Sequence, residues 1–213
     1  MKLDALVYDL ETLRGVPDRR RPRLAGIEYC QGWEDYAGMG IAVVCAYDFL
    51  TGRYRVFEAD NLAEFVELLA ARALLVSYNG LRFDNNVIAA STGAVIDPDR
   101  CYDVLAMLKQ AKGVPANGAH APGLSLDGVA QANFGIAKSF NGALAPVYWQ
   151  RGQRGIVVDY CLEDVRLTRG LFERVVQRGE LKDPVGRLFA MPPAPGSPYA
   201  IAAGAGVPEL QRT

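Results

Sequence analysis

Along residues 3–10 apolar side chains fall on both alternating faces, Leu3, Ala5 and Val7 on one and Leu6, Tyr8 and Leu10 on the other. A segment apolar on both sides is expected at the centre of a sheet rather than at its edge. Residues 13–38 lose that pattern, carrying RRRPR at 19–23 and opening the turn-rich YAGMG at 36–40, and they read as an irregular insert. IAVVCAYDF (41–49) and RYRVFEA (53–59) flank a Leu-Thr-Gly turn, which predicts a hairpin. From 62 to 73 apolar residues return at helical spacing among good helix formers, and LLVSYNG (74–80) follows as a buried strand closed by an Asn-Gly turn.

The second half reads as helices with short connections. Helices are expected in RFDNNVIAAS (82–91), from 102 to 110, in SLDGVAQANF (125–134) behind Ser125, and over GIVVDYCLEDVRLTRGLFERVVQR (155–178). A short extended piece is expected near AVID (94–97), and a Gly/Pro/Ala-rich loop holds the only histidine, His120. In the long helix Ile156, Val157, Cys161, Val165, Leu171, Phe172 and Val175 keep one apolar stripe. From Met191 onward Pro, Gly and Ala replace periodicity, so residues 1–190 are read as one domain and 191–213 as a flexible tail. A strand, a hairpin and then strands alternating with helices is the order of an α/β domain with a mixed sheet.

Composition narrows the class. The 213 residues are half hydrophobic, enough for one sizeable core, and the net charge of -1 supplies no overall positive field, so nucleic-acid binding needs a local basic patch. Cys30, Cys45, Cys101 and Cys161 are widely spaced without a C-x-x-C pair, which fits buried thiols in a reducing compartment. No apolar run approaches the roughly 20 residues of a membrane span, and the N-terminus lacks a signal pattern. A soluble protein of the cytoplasm, without membrane attachment, is expected.

The chemistry-bearing residues are acidic. Asp9 and Glu11 continue the face of Leu3, Ala5 and Val7, so two anions emerge side by side at the end of the first strand. Either that strand has reached solvent, or the pair shares a hard cation such as Mg²⁺ or Mn²⁺, which takes oxygen ligands. Asp84 follows the Asn-Gly turn at the same sheet edge, where its alternative role is a helix cap. Tyr160 and Asp164, four apart, share one helix face while Asp159 and Glu163 turn away. The Gly-Met-Gly at 38–40 precedes a strand instead of following one, and there is no G-K-[ST] loop, which excludes the dinucleotide and phosphate-loop classes.

Taken in chain order, DLET, NGLRFD and YCLEDVRLT resemble the three motifs of the DnaQ-like (DEDD) 3′–5′ exonucleases of the RNase H-like superfamily, over about residues 3–178. Tyr160 four before Asp164, with Asp159 rather than histidine five before, is similar to the tyrosine subgroup, which includes exonuclease domains of family A and B DNA polymerases. The resemblance implies an α/β RNase H-like mixed sheet, its first three strands antiparallel and the rest parallel, flanked by helices. It implies catalytic Asp9, Glu11, Asp84, Asp164 and Tyr160, with the four acids holding two divalent ions, Mg²⁺ or Mn²⁺, and Tyr160 orienting the attacking water. Asp9 would bridge the ions, Glu11 and Asp164 complete the nucleophile side, and Asp84 serve the other. Substrate contacts are expected from Thr12, Asn79, Phe83, Lys138, Trp149 and Arg151, each with a purely structural alternative. The implied partners are single-stranded DNA or RNA 3′ ends, and a polymerase or other replication or repair protein. An endonuclease, or a catalytically silent nucleic-acid-binding or scaffold module, remains the alternative on the same fold.

Overall fold

The computed structural model describes residues 3–18, 22–115, 123–136 and 142–195. Its centre is β1 (Ala5–Thr12), flanked by β2 (Ile41–Asp48) and β4 (Leu74–Ser77), with β3 (Arg53–Phe57) and β5 (Cys101–Asp103) at the edges, giving the order β3-β2-β1-β4-β5. The pairs β1–β2 and β2–β3 are antiparallel, whereas β1–β4 and β4–β5 are parallel. This is a mixed α/β sheet, antiparallel among its first three strands and parallel thereafter, as expected.

Burial on two sides explains the central place of β1. Ala5 and Val7 pack toward Leu108 of α4 (Val104–Ala111), Val129 of α5 (Leu126–Phe134), Trp149 of α6 (Ala145–Gln150) and Val165 of α7 (Arg154–Arg178). On the opposite face Leu6, Tyr8 and Leu10 join Met39 of α1 (Tyr36–Met39), Phe65 of α2 (Leu62–Ala71) and Val87 of α3 (Asp84–Thr92). Each fully buried aliphatic or aromatic side chain in these layers contributes about 1.5–3 kcal/mol. Asp9 and Glu11, odd-numbered like Ala5 and Val7, therefore face α7. All four cysteines are free, and Cys30, Cys45 and Cys161 are buried.

Several elements depart from the sequence reading. The extended piece expected at 94–97 is not a strand; the fifth strand is Cys101–Asp103, and the next helix starts only at Val104 because the Asp103 side chain accepts the Ala106 N–H at 3.1 Å and caps it. Helix α6 and the two three-residue strands β6 (Glu180–Lys182) and β7 (Leu188–Ala190) are too short for a periodicity to register. Ile156 stands 43% exposed, outside the stripe assigned to it, since α7 meets the sheet only from Val157 onward. Residues 191–195 are packed rather than loose: Met191 and Ala194 are buried, Met191 N–H donates to the Gly179 carbonyl at 2.8 Å, and the Tyr102 hydroxyl donates to the Pro192 carbonyl at 2.7 Å. The remaining residues of the expected tail, 196–213, and His120 lie outside the described residues. Among the described residues no helix is long and apolar enough to cross a membrane.

Candidate metal centre

The centre lies where β1 outruns its parallel neighbour. Strand β4 pairs with β1 only from Ala5 to Val7, so the far end of β1 is open on that side. On the other side the β1–β2 register shifts between Glu11 and Thr12, the kind of irregularity that re-aims side chains at a strand end. Helix α7 crosses this end with Val157, Cys161 and Val165 buried, and the Cys161 thiol donates to the Asp9 carbonyl at 3.4 Å. One turn further, Asp164 is brought to Asp9 and Glu11, and one carboxylate oxygen from each lies within 4.8 Å of the others. Hard cations sit about 2.1 Å from their oxygen ligands, so one ion placed among the three could draw on all of them. The donor set is all oxygen, which fits Mg²⁺ or Mn²⁺ and not a thiolate- or imidazole-seeking metal.

Asp84 approaches from the opposite helix layer. It opens α3, is buried, and one of its oxygens accepts the Leu10 N–H at 3.3 Å, on the edge that β4 leaves open. Burial, and after it the negative charge of Asp9, push its carboxyl well above the usual range. Asp84 stands beside the three-acid group without being one of its three ligands.

Tyr160 shares the α7 face with Asp164. Burial first, then the charges of Glu11 and Asp9, raise its phenol far above the ordinary value, so it carries its proton at neutral pH. Gly142 packs against it: a Cβ built there would fall 2.6 Å from the Tyr160 hydroxyl.

Asp103 is a functional neighbour that sequence reasoning missed. Its two oxygens accept the Asn79 N–H at 2.9 Å and the Leu81 N–H at 3.1 Å, besides capping α4, and thereby hold the turn that delivers Asp84. In that turn Asn79 takes a positive φ of 69°, and a Cβ on Gly80 would meet Ser77 Oγ at 2.3 Å. An Asp directly before an apolar helical run is a cap signal, and Tyr102-Asp103-Val104 carries it.

A cleft of about 1070 Å³ adjoins the acids, with Glu11, Thr12, Trp33, Phe83 and Gly142 in its lining. Of the expected substrate contacts, Thr12 and Phe83 line it, the Thr12 hydroxyl donating to the Arg14 carbonyl at 3.1 Å. Asn79 is committed through its backbone to the turn. The structure does not bring Trp149 to the cleft: it is 8% exposed, in the core between β1 and α7, with the Arg154 guanidinium 4.9 Å from its ring centroid. A ring so covered has no free face for a base, so its expected stacking role is replaced by packing. Arg151 is exposed after α6 and is not in the cleft lining, and Lys138 lies outside the described residues, as do Arg19, Arg20 and Arg21.

Comparison with known proteins bears on the fold. A family model described as RNase_H superfamily matches residues 35–176, which leaves Asp9 and Glu11 before the matched span. Among solved structures, the family B DNA polymerase of the hyperthermophilic archaeon Pyrobaculum calidifontis superposes with a TM-score of 0.55 at 21% identity, over 81% of this chain. The match spans 24% of the polymerase chain. No curated protein matches the sequence.

Proposed function

The chain belongs to the RNase H superfamily, and on that footing we propose that it is a metal-dependent 3′–5′ exonuclease acting on single-stranded nucleic acid ends. The observation that carries the reading is the convergence of Asp9, Glu11 and Asp164, from one strand and one helix, with their oxygens mutually within 4.8 Å. The polymerase likeness supports it at the level of fold, and the DLET, NGLRFD and YCLEDVRLT motifs supply the 3′–5′ direction.

In this reading Asp9, Glu11 and Asp164 would hold one divalent ion, and Asp84 would help to hold a second. Two divalent ions, when bound, lower the pKa of an attacking water and stabilise the departing 3′ oxygen. Tyr160, whose phenol is held above its ordinary value by burial and by Glu11 and Asp9, would orient the water by a hydrogen bond. Asp103 keeps the Asn79–Gly80 turn in place and so fixes where Asp84 stands. Thr12 and Phe83 contact the substrate from the cleft wall.

The reading is tested with 5′- and 3′-labelled oligonucleotides, linear and circular, in Mg²⁺ or Mn²⁺. Stepwise loss from the 3′ end of linear strands, abolished in Asp9→Ala and Asp164→Asn, is expected. Cleaved circles would make the protein an endonuclease, and full activity in either variant would refute the metal assignment.

A further inference from the structure

Tyr8 carries a phenol into an otherwise apolar layer. The side chain is 1% exposed and lies on the face of β1 opposite Asp9 and Glu11, in the layer of Phe65, Val87 and Ile88. Its ring meets Phe65 edge to face, centroids 5.9 Å apart. A hydroxyl buried there destabilises the core unless it is hydrogen-bonded. It donates to Oδ1 of Asn85, the residue that follows Asp84.

Asn85 is held on three sides. Its backbone N–H donates to the Gly80 carbonyl at 2.9 Å, its Nδ2 donates to Cys101 Sγ on β5 at 3.7 Å, and its Oδ1 accepts the Tyr8 hydroxyl from β1. The Ser77 hydroxyl, at the end of β4, bonds the same phenol. The group thus ties β1, β4 and β5 to the first turn of α3. That helix lacks the ordinary fastening at its start, since Phe83 occupies the N-cap and no side chain there accepts a first-turn N–H. Asp103 holds the turn before Asp84, and Tyr8 holds the residue after it.

We propose that Tyr8 and Asn85 are positioning residues for the Asp84 carboxylate: their hydrogen bond sets the start of α3 against β1, and with it the separation of Asp84 from Asp9, the strand neighbour of Tyr8. This rests on the reading that Asp84 helps to hold a second divalent ion. Mg²⁺ demands near-ideal geometry at about 2.1 Å from its oxygens, so a carboxylate that drifts with the helix start loses affinity. Groups that orient a ligand from behind are typically worth about 10–100-fold in metal affinity. Asp9, Glu11 and Asp164 stand on β1 and α7, and the ion they would share does not depend on where α3 begins.

The test is calorimetric titration of Mn²⁺ into wild type, Tyr8→Phe, Asp84→Asn and the double variant, with chemical denaturation of each metal-free protein alongside. Tyr8→Phe keeps the ring against Phe65 and removes only the hydroxyl. It should bind the first ion as wild type does and the second about 10–100-fold more weakly, and it should add nothing to the loss in Asp84→Asn. Asn85→Ala, which removes the acceptor from a half-buried position, should show the same selective loss. In hydrolysis, Tyr8→Phe should lose kcat at low Mn²⁺ with KM for a single-stranded oligonucleotide unchanged, and recover as Mn²⁺ is raised. If Asp84→Asn loses its second ion while Tyr8→Phe and Asn85→Ala keep theirs, or if both ions weaken equally in these two variants, the positioning role is overturned and the metal reading stands. A single ion in wild type would refute the two-ion reading and the proposal with it. The predicted selective losses without any hydrolysis would keep the positioning role and overturn the nuclease reading instead.

Discussion

At the residue scale the site depends on side chains that are small or hidden as much as on the acids. Gly142→Ala would put a methyl 2.6 Å from the Tyr160 hydroxyl and force the ring aside. We expect hydrolysis to fall by at least about ten-fold, since small misplacements near the chemistry are costly. The same change should add nothing in a Tyr160→Phe background, which a kinetic double-mutant cycle checks. Asp103→Ala would leave two turn N–H groups without their acceptor, a loss of about 1–3 kcal/mol each, readable in chemical denaturation, and activity should drop with it because Asp84 is no longer held. Asp9, Glu11, Asp84 and Asp164 stand out in the sequence through the resemblance of DLET, NGLRFD and YCLEDVRLT in chain order, whereas alternation and helical spacing alone leave a solvent-facing strand end and a helix cap as alternatives. Asp103 and Gly142 were not legible, because what each does is set by a partner brought from elsewhere: Asn79 and Leu81 for the one, Tyr160 for the other.

At the scale of elements, ion pairs fasten segments that periodicity left unassigned. The Arg72 guanidinium grips Asp48 at 2.8 and 2.7 Å, tying the α2–β4 connection to the end of β2, and hydrogen bonding from Arg72 holds the Asp48 carboxyl below its usual value. Lys112 does the same for Asp183, which joins α4 to the β6–β7 hairpin. A carboxyl lowered in the folded state stabilises it fully above the ordinary carboxyl range, near pH 4, and that contribution is lost as pH falls through the folded value. Denaturant unfolding should therefore show stability declining below about pH 4, and Arg72→Met should be less stable at pH 7, by up to about 3–5 kcal/mol, with a shallower acid decline. The long strands and helices were readable because β1, α2, α5 and α7 each present several turns or alternations of one pattern. Strand β5, helix α6 and the hairpin β6–β7 run three to six residues, and tertiary contacts decide their state. The helix expected from 102 starts only at Val104 for that reason: Asp103 ends β5 and caps α4, so the boundary lies in a cap.

At the scale of the molecule, the sheet order brings distant acids to one end. Antiparallel β2 and parallel β4 flank β1, β4 stops short, and the open end of β1 receives Asp164 from one helix layer and Asp84 from the other. Four carboxylates gathered there repel one another, and a cation that binds only the folded chain relieves the repulsion. Mn²⁺ or Mg²⁺ should accordingly raise the thermal midpoint of the wild-type protein, and chelation should reverse the rise. Asp9→Asn, which removes a central charge, should gain stability without metal and lose most of the metal-dependent increment, as a calorimetric scan will show. The most direct measurement is a titration of Mn²⁺ followed by the paramagnetic signal of the free ion, on wild type and Asp9→Asn. The account predicts two ions bound per wild-type chain and a loss of both or of all measurable affinity in the variant; equal uptake by the two proteins would contradict it.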